Sequence, residues 1–128
     1  MKNPHVLVID DNLLNIEVIE HLVVMLRGTV AALDDPTRLD ALAGDMARVD
    51  AVFLDLEMPV LNGYDVLRIL KDDWDVQAPI VAYTVHTSEV ETARREGFDG
   101  FLGKPLVPDR FADQLRRILA GEAVWFIP

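Results

Sequence analysis

The chain has 128 residues, 51% of them apolar, a formal net charge of −10 and no cysteine. That size and apolar content suit one domain with a packed core and exclude a disordered chain, and the lack of thiols excludes disulfides and thiolate metal sites. So acidic a surface repels nucleic acid and anionic lipid, so the expected partners are proteins and cations, without direct nucleic-acid or membrane binding.

Met1-Lys2-Asn3-Pro4-His5 leads straight into the apolar run Val6–Ile9 and leaves no room for a secretory signal. No apolar run approaches the ~20 residues of a membrane span, and a cytoplasmic protein is expected. The first helix follows Asp10-Asp11-Asn12, with Val18, Ile19, Leu22 and Leu26 on its core side and Leu13 and Val24 on the side of Glu17 and Glu20. A second run, Val30–Leu33, precedes Asp35-Pro36, which reads as an N-cap with proline at the first helical position. Leu39, Leu42, Ala43 and Met46 then follow helical spacing. The third run is Ala51–Leu54, and Asn62-Gly63 introduces a helix bearing Val66, Leu67 and Leu70, after which Trp74 reads as a loop anchor. The fourth run is Ile80–Tyr83, followed by Ser88 and Glu91 as a capping box and Gly97 as a helix stop. A weaker fifth strand is expected at Gly100-Phe101-Leu102-Gly103, and Phe111, Leu115, Ile118 and Leu119 mark the last helix.

Continuous apolar runs indicate strands buried on both faces, and their alternation with helices gives an α/β, (βα)5 chain with one five-stranded parallel sheet covered on both sides. The domain is expected to span residues 1–121. Residues 122–128 form a tail whose Val124-Trp125-Phe126-Ile127 is too apolar to sit comfortably in water; packing back and docking to a partner are both open.

Open sheets of this kind bind ligands beyond the carboxyl ends of their strands. Those ends carry Asp10-Asp11, Asp55, Thr84 and Lys104-Pro105. A single such Asp is commonly a helix cap, and Asp11-Asn12 would serve as one. The full set on four strand ends points instead to one polar rim. Three carboxylates held together repel one another unless a cation joins them. Magnesium, a hard ion preferring oxygen ligands, is the natural candidate, and a lysine and a threonine beside it make a cradle for phosphoryl oxygens.

Val8-Ile9-Asp10-Asp11-Asn12, Leu54-Asp55-Leu56-Glu57-Met58-Pro59, Asn62-Gly63, Ala82-Tyr83-Thr84 and Gly103-Lys104-Pro105 together resemble the receiver domain of two-component response regulators, over essentially the whole chain. The resemblance implies a flavodoxin-like fold with strand order 2-1-3-4-5 and Asp55 as phosphoacceptor. It implies magnesium (manganese as a substitute) held by Asp10, Asp11, Asp55 and the backbone carbonyl of Glu57. Thr84 would hydrogen-bond the phosphoryl group, Lys104 would pair with it, and Phe101 occupies the switch-aromatic position. The donor implied is a histidine kinase or histidine phosphotransfer protein, in a reaction the receiver itself catalyses together with its later hydrolysis. Homodimer formation stays open, and the absence of an output domain suggests a stand-alone receiver signalling through protein contacts.

Phenylalanine at 101 has no hydroxyl to desolvate, so its inward rotamer is expected even before phosphorylation, with Ser88–Glu96, Phe101 and the last helix forming the responsive face. Val85 is bulkier than the family's usual small residue and would narrow access. Glu57 and His86 stand where the family tunes dephosphorylation. His5 and His21 read as surface histidines, and Tyr83 and Met58 as packing residues. An aspartate-based phosphatase would need a second acid in Asp-x-Asp, where this chain has Glu57 followed by Met58-Pro59. A flavin module would need a Ser/Thr/Gly-rich loop where the chain has Asp10-Asp11-Asn12, and the intact acidic set argues against a degenerate, binding-only receiver.

Overall fold

A computed structural model describes residues 3–128; Met1 and Lys2, the start of the segment expected to lack a secretory signal, lie outside the described residues. Strands β1 (His5–Ile9), β2 (Thr29–Leu33), β3 (Ala51–Leu54), β4 (Ile80–Thr84), β5 (Gly100–Gly103) and β6 (Trp125–Phe126) form one sheet in the order β2-β1-β3-β4-β5-β6. Every pairing is parallel. The helical elements are α1 (Leu13–Met25), a 3-10 segment (Pro36–Arg48), α2 (Gly63–Arg68) continuing as a π turn (Ile69–Asp73), a 3-10 turn (Thr87–Glu89) leading into α3 (Val90–Glu96), and α4 (Pro108–Leu119). None is long and apolar enough to cross a membrane among the described residues.

The sheet separates two apolar layers. Leu39, Val66, Leu67, Leu70, Ala93 and Phe98 bring the 3-10 segment, α2 and the α3 region onto one face. Ile16, Ile19, Leu22 and Val23 of α1, with Phe111, Leu115 and Ile118 of α4, cover the other. β3 and β4 are central, and all their residues are buried, as continuous apolar runs require.

Several expectations need correction. The sheet has six strands: Trp125 and Phe126 pair with Phe101 and Leu102. Val124 and Phe126 pack on the α1–α4 layer and Trp125 on the opposite layer, the period-2 alternation of a strand, in an element too short to register as a pattern. The tail therefore packs back on the domain. β2 sits at the edge, where the expected order puts it, but it is not buried on both faces as its apolar run suggested: Thr29 and Ala32 are exposed.

On α1 the buried stripe runs through Ile16, Ile19, Leu22 and Val23, which leaves Val18 exposed with Leu13 and Val24. Pro36–Arg48 winds as 3-10 helix; three residues per turn keep Leu39 and Leu42 on the core side and carry Ala43 into solvent. Asp35 caps that segment as expected, accepting from the Thr37 amide. The Ser88–Glu91 capping box does not form: the chain enters its helix through the 3-10 turn, with His86 at the N-cap position and no side-chain cap. Gly97 ends α3 with φ of 108°, a conformation natural to glycine. Trp74 anchors the chain as it leaves the π turn, half-buried against the core.

Candidate functional site

Sheet register brings the polar strand ends together. β1 and β3 are neighbours with Ile9 opposite Leu54, so the next residues, Asp10 and Asp55, stand side by side. Their amides are fixed by carbonyls of adjacent strands: Asp10 N–H donates to Leu33 O at 3.1 Å, and Asp55 N–H to Ile9 O at 3.0 Å. Asp11 completes a trio in which one carboxylate oxygen from each residue lies within 4.8 Å of the others. Asp10 and Asp55 are buried and Asp11 is exposed, giving a pocket with a solvent-facing mouth.

Lys104, just beyond β5, reaches across this cluster. Its Nζ lies 3.2 Å from Asp10 Oδ2 and 3.8 Å from Asp55 Oδ1, and its amide donates to Thr84 O at 2.8 Å. Lys104-Pro105 is a cis peptide. Asp10 also receives the Asn12 amide on Oδ1 at 2.9 Å and the Tyr83 hydroxyl on Oδ2. Burial pushes its carboxyl pKa up, but the bonds from Tyr83 and Asn12 and the charge of Lys104 outweigh burial and hold it below the usual 3.8. Asp55 has fewer donors, with the Glu57 amide at 3.3 Å from Oδ1. There burial, opposed by Lys104 and reinforced by Asp10, raises the carboxyl to about 6. Two neighbouring aspartates are thus driven apart by their different partners.

The loop after β3 is held by Asn62-Gly63. Asn62 Oδ1 accepts the Asp65 amide at 3.0 Å, and Gly63 N–H donates to Leu56 O at 2.9 Å. A Cβ on Gly63 would lie 2.5 Å from Asp55 O and 2.7 Å from Leu56 Cα, so only glycine allows this approach of backbone to backbone.

Thr84 is buried, with Oγ1 accepting the His86 amide at 3.1 Å. His86 Nε2 and Glu57 Oε2 are 3.2 Å apart, both side chains largely exposed. Val85 is exposed. Phe101 is fully buried in the layer containing Ala93 and Phe98. Met58 packs in the same layer, as expected. His5 Nδ1 lies 2.6 Å from Thr29 Oγ1, and exposed His21 takes no part in the pocket.

Tyr83 was expected only to pack, and that needs correction. Its ring does pack edge-on against Phe53, but its hydroxyl donates to Asp10 and its ring lies 4.3 Å from Lys104 Nζ. Burial and the Asp10 carboxylate push its phenol well above the ordinary 10.0. The signal lay in the chemistry: a phenol inside a wholly buried strand requires a partner.

The acidic trio fits a hard divalent cation. Its donors are all carboxylate oxygens, they already converge, and one lysine balances only part of their charge.

The family model for the response regulator receiver domain matches residues 6–116. Stress response regulator protein 1 of Lodderomyces elongisporus is 30% identical over 78% of this chain, which spans 29% of that protein. The two-component response regulator ORR11 of Oryza sativa subsp. indica is 29% identical over 91% of this chain and 81% of its own length. Among solved structures, the receiver domain of a sensor histidine kinase from Pseudomonas aeruginosa PAO1, with a magnesium ion coordinated in its active-site cleft, superposes with a TM-score of 0.75. It is 25% identical, covering 93% of this chain and 99% of that one.

Proposed function

This chain belongs to the response regulator receiver domain family of two-component signalling, and from that premise we propose that Asp55 accepts a phosphoryl group from a histidine kinase or histidine phosphotransfer protein. The observation that carries the proposal is the setting of Asp55: a carboxylate ending a buried strand, within reach of Lys104 and beside two further acids. An oxygen of ionised Asp55 attacks phosphorus, forming the acyl phosphate O–P bond as the bond from phosphorus to the donor's imidazole nitrogen breaks. Lys104 faces the incoming phosphoryl oxygens, and Thr84 turns its hydroxyl from the His86 amide toward one of them. Such transfer depends mainly on positioning and charge compensation.

Asp10, Asp11, Asp55 and the Glu57 backbone carbonyl would hold magnesium, or manganese in its place. When bound, the ion supplies neutralisation of the charge that gathers where Asp55 and the phosphoryl group meet. In the later hydrolysis water attacks phosphorus, the P–O bond to Asp55 breaks, and inorganic phosphate leaves the regenerated carboxylate; the His86–Glu57 pair at the rim would influence that water. A cytoplasmic setting and signalling through protein contacts accord with this reading.

The test is incubation with acetyl phosphate and magnesium. One phosphoryl group should be added per chain, and Asp55→Asn or a chelator should abolish labelling. Undiminished labelling of Asp55→Asn would remove Asp55 from the role.

A further inference from the structure

The family match ends at residue 116, yet the sheet gains a strand beyond it. Without β6, the outer side of β5 would be an open row of backbone donors and acceptors, the kind of edge that recruits another strand. The chain fills that edge with its own last residues. Phe101 N–H donates to Val124 O at 2.7 Å, and Phe101 and Leu102 stand opposite Trp125 and Phe126.

β5 is shaped to receive this strand. A Cβ on Gly100 would come 2.9 Å from Val124 O, with no other neighbour closer than 3.4 Å. A Cβ on Gly103 would meet Pro128 Cδ at 2.7 Å on the tail side and Thr87 Cγ2 at 2.9 Å. Neither glycine has positive φ, so backbone freedom does not explain them; close approach of the tail accounts for Gly100, and at Gly103 the tail and Thr87 share the space. Two arginines cover the docked aromatics: Arg94 of α3 lies 4.5 Å from the Trp125 ring centroid, and Arg110 of α4 lies 5.4 Å from that of Phe126. Both contacts have cation–π geometry. The attachment is nevertheless small, a two-residue strand with Ile127 half exposed beyond it.

We propose that the edge of β5 is a strand-addition site whose resident ligand is the chain's own Val124–Phe126 segment, and that this docked strand holds Phe101 in its buried setting. The ligand is an extended segment with a β-branched residue followed by two aromatics. It occupies the edge in cis, and any protein seeking to add a strand at β5 must first displace it. Phe101 is the point of coupling because its side chain is in the core while its amide is held by the tail. The docking half of this inference is independent of the phosphoryl-transfer reading. Only the reading of Phe101 as a switch residue rests on it.

The test uses the full chain, without phosphorylation, and reads amide hydrogen exchange. Trp125→Ala/Phe126→Ala removes both anchoring rings, and Gly100→Ala obstructs the tail from the β5 side. Each should accelerate exchange at the Phe101 amide at least tenfold while amides of β1 and β3 keep their protection. A synthetic peptide with the sequence of residues 122–128, added to the double variant, should restore protection at Phe101. If a variant fails to fold, the other carries the experiment. Unchanged exchange at Phe101 would overturn the proposal, and so would acceleration spread evenly over the sheet, because β6 would then be an inseparable part of the fold. Because no phosphoryl donor is present, these outcomes are distinct from failure of Asp55 to accept a phosphoryl group.

Discussion

The hydroxyl of Tyr83, buried in the middle of the sheet, donates to the carboxylate of Asp10. That bond joins a core side chain of β4 to an acid at the end of β1, across the intervening β3. With Lys104 on the same carboxylate oxygen, it holds the Asp10 carboxyl below its ordinary range although burial pushes it up. Asp10 therefore brings fixed negative charge to the pocket, and Asp55 bears the resulting repulsion.

Tyr83→Phe keeps the ring and its contact with Phe53 but deletes the donor. A hydrogen bond to a charged group contributes about 1.5–3 kcal/mol, and a loss of that order is expected at neutral pH. Asp10 has a depressed pKa in the fold, so its stabilising contribution is present above the unfolded value and fades as pH falls through the lowered one. The penalty should accordingly shrink in strong acid. Urea denaturation of both proteins at pH 7 and pH 2.5 measures it; a penalty equal at both pH values would mean the hydroxyl does not act through Asp10.

Asp55 has the opposite sign. Its carboxyl titrates at about 6 in the fold against an ordinary 3.8, so the native state holds that proton more tightly than the unfolded chain does. Ionising Asp55 thus costs stability as pH rises from about 4 to 6, by about 3 kcal/mol in total. In chelator, Asp55→Asn should be more stable than the wild type by about 2–3 kcal/mol at pH 7.5, with the gap closing near pH 4. Added magnesium should narrow the gap at pH 7.5 by stabilising only the protein with the intact acid set. Equal stabilities at pH 7.5 in chelator would show that Asp55 is not under this strain.

The strands that position the pocket were legible because each is an apolar run ending in a polar residue, and sheet register then places those residues together. Asp10, Asp55, Thr84 and Lys104 could be found for that reason. What escaped was information carried between elements. Tyr83 gave no sign of its partner, since Asp10 lies 73 residues away. Val18 differs from buried Ile19 only in helical phase, and the phase of a helix with apolar residues on most sides is set by what it packs against. β6 is two residues long, below the length at which alternation can be read. Ser88 and Glu91 have capping-box spacing, but the preceding 3-10 turn decides where the helix begins.

Gly63 offers a direct check on how the β3–α2 loop holds Asp55. A methyl group there would collide with Asp55 O and Leu56 Cα, both backbone atoms that cannot swing aside. Gly63→Ala should destabilise the protein by about 1–3 kcal/mol, in the range of overpacking with backbone displacement. It should also lower the initial rate of labelling by acetyl phosphate more than tenfold under conditions where the variant remains folded. Denaturant melts and labelling on the same samples separate the two effects. Full activity in a folded Gly63→Ala protein would mean that the loop tolerates the shift without moving the acceptor.

Phe101 was expected to populate its inward rotamer appreciably before phosphorylation, with phosphorylation shifting the remainder, and the structure has its side chain fully buried. The same site tests whether the absent hydroxyl is what keeps it there. In Phe101→Tyr an inward ring would carry its hydroxyl into a layer formed by Ala93, Phe98 and other apolar side chains, and an unpaired buried hydroxyl costs about 1–3 kcal/mol. The ring can avoid that cost by turning outward to solvent, so the variant should populate the outward rotamer more than the wild type does. Beryllofluoride at Asp55, by drawing Thr84 toward the pocket, should then shift the tyrosine back inward. Side-chain NMR should therefore report a large beryllofluoride-dependent change at position 101 in the variant and a small one in the wild type. Equally small changes in both would mean that burial at this position is fixed by the surrounding packing and is indifferent to the state of Asp55.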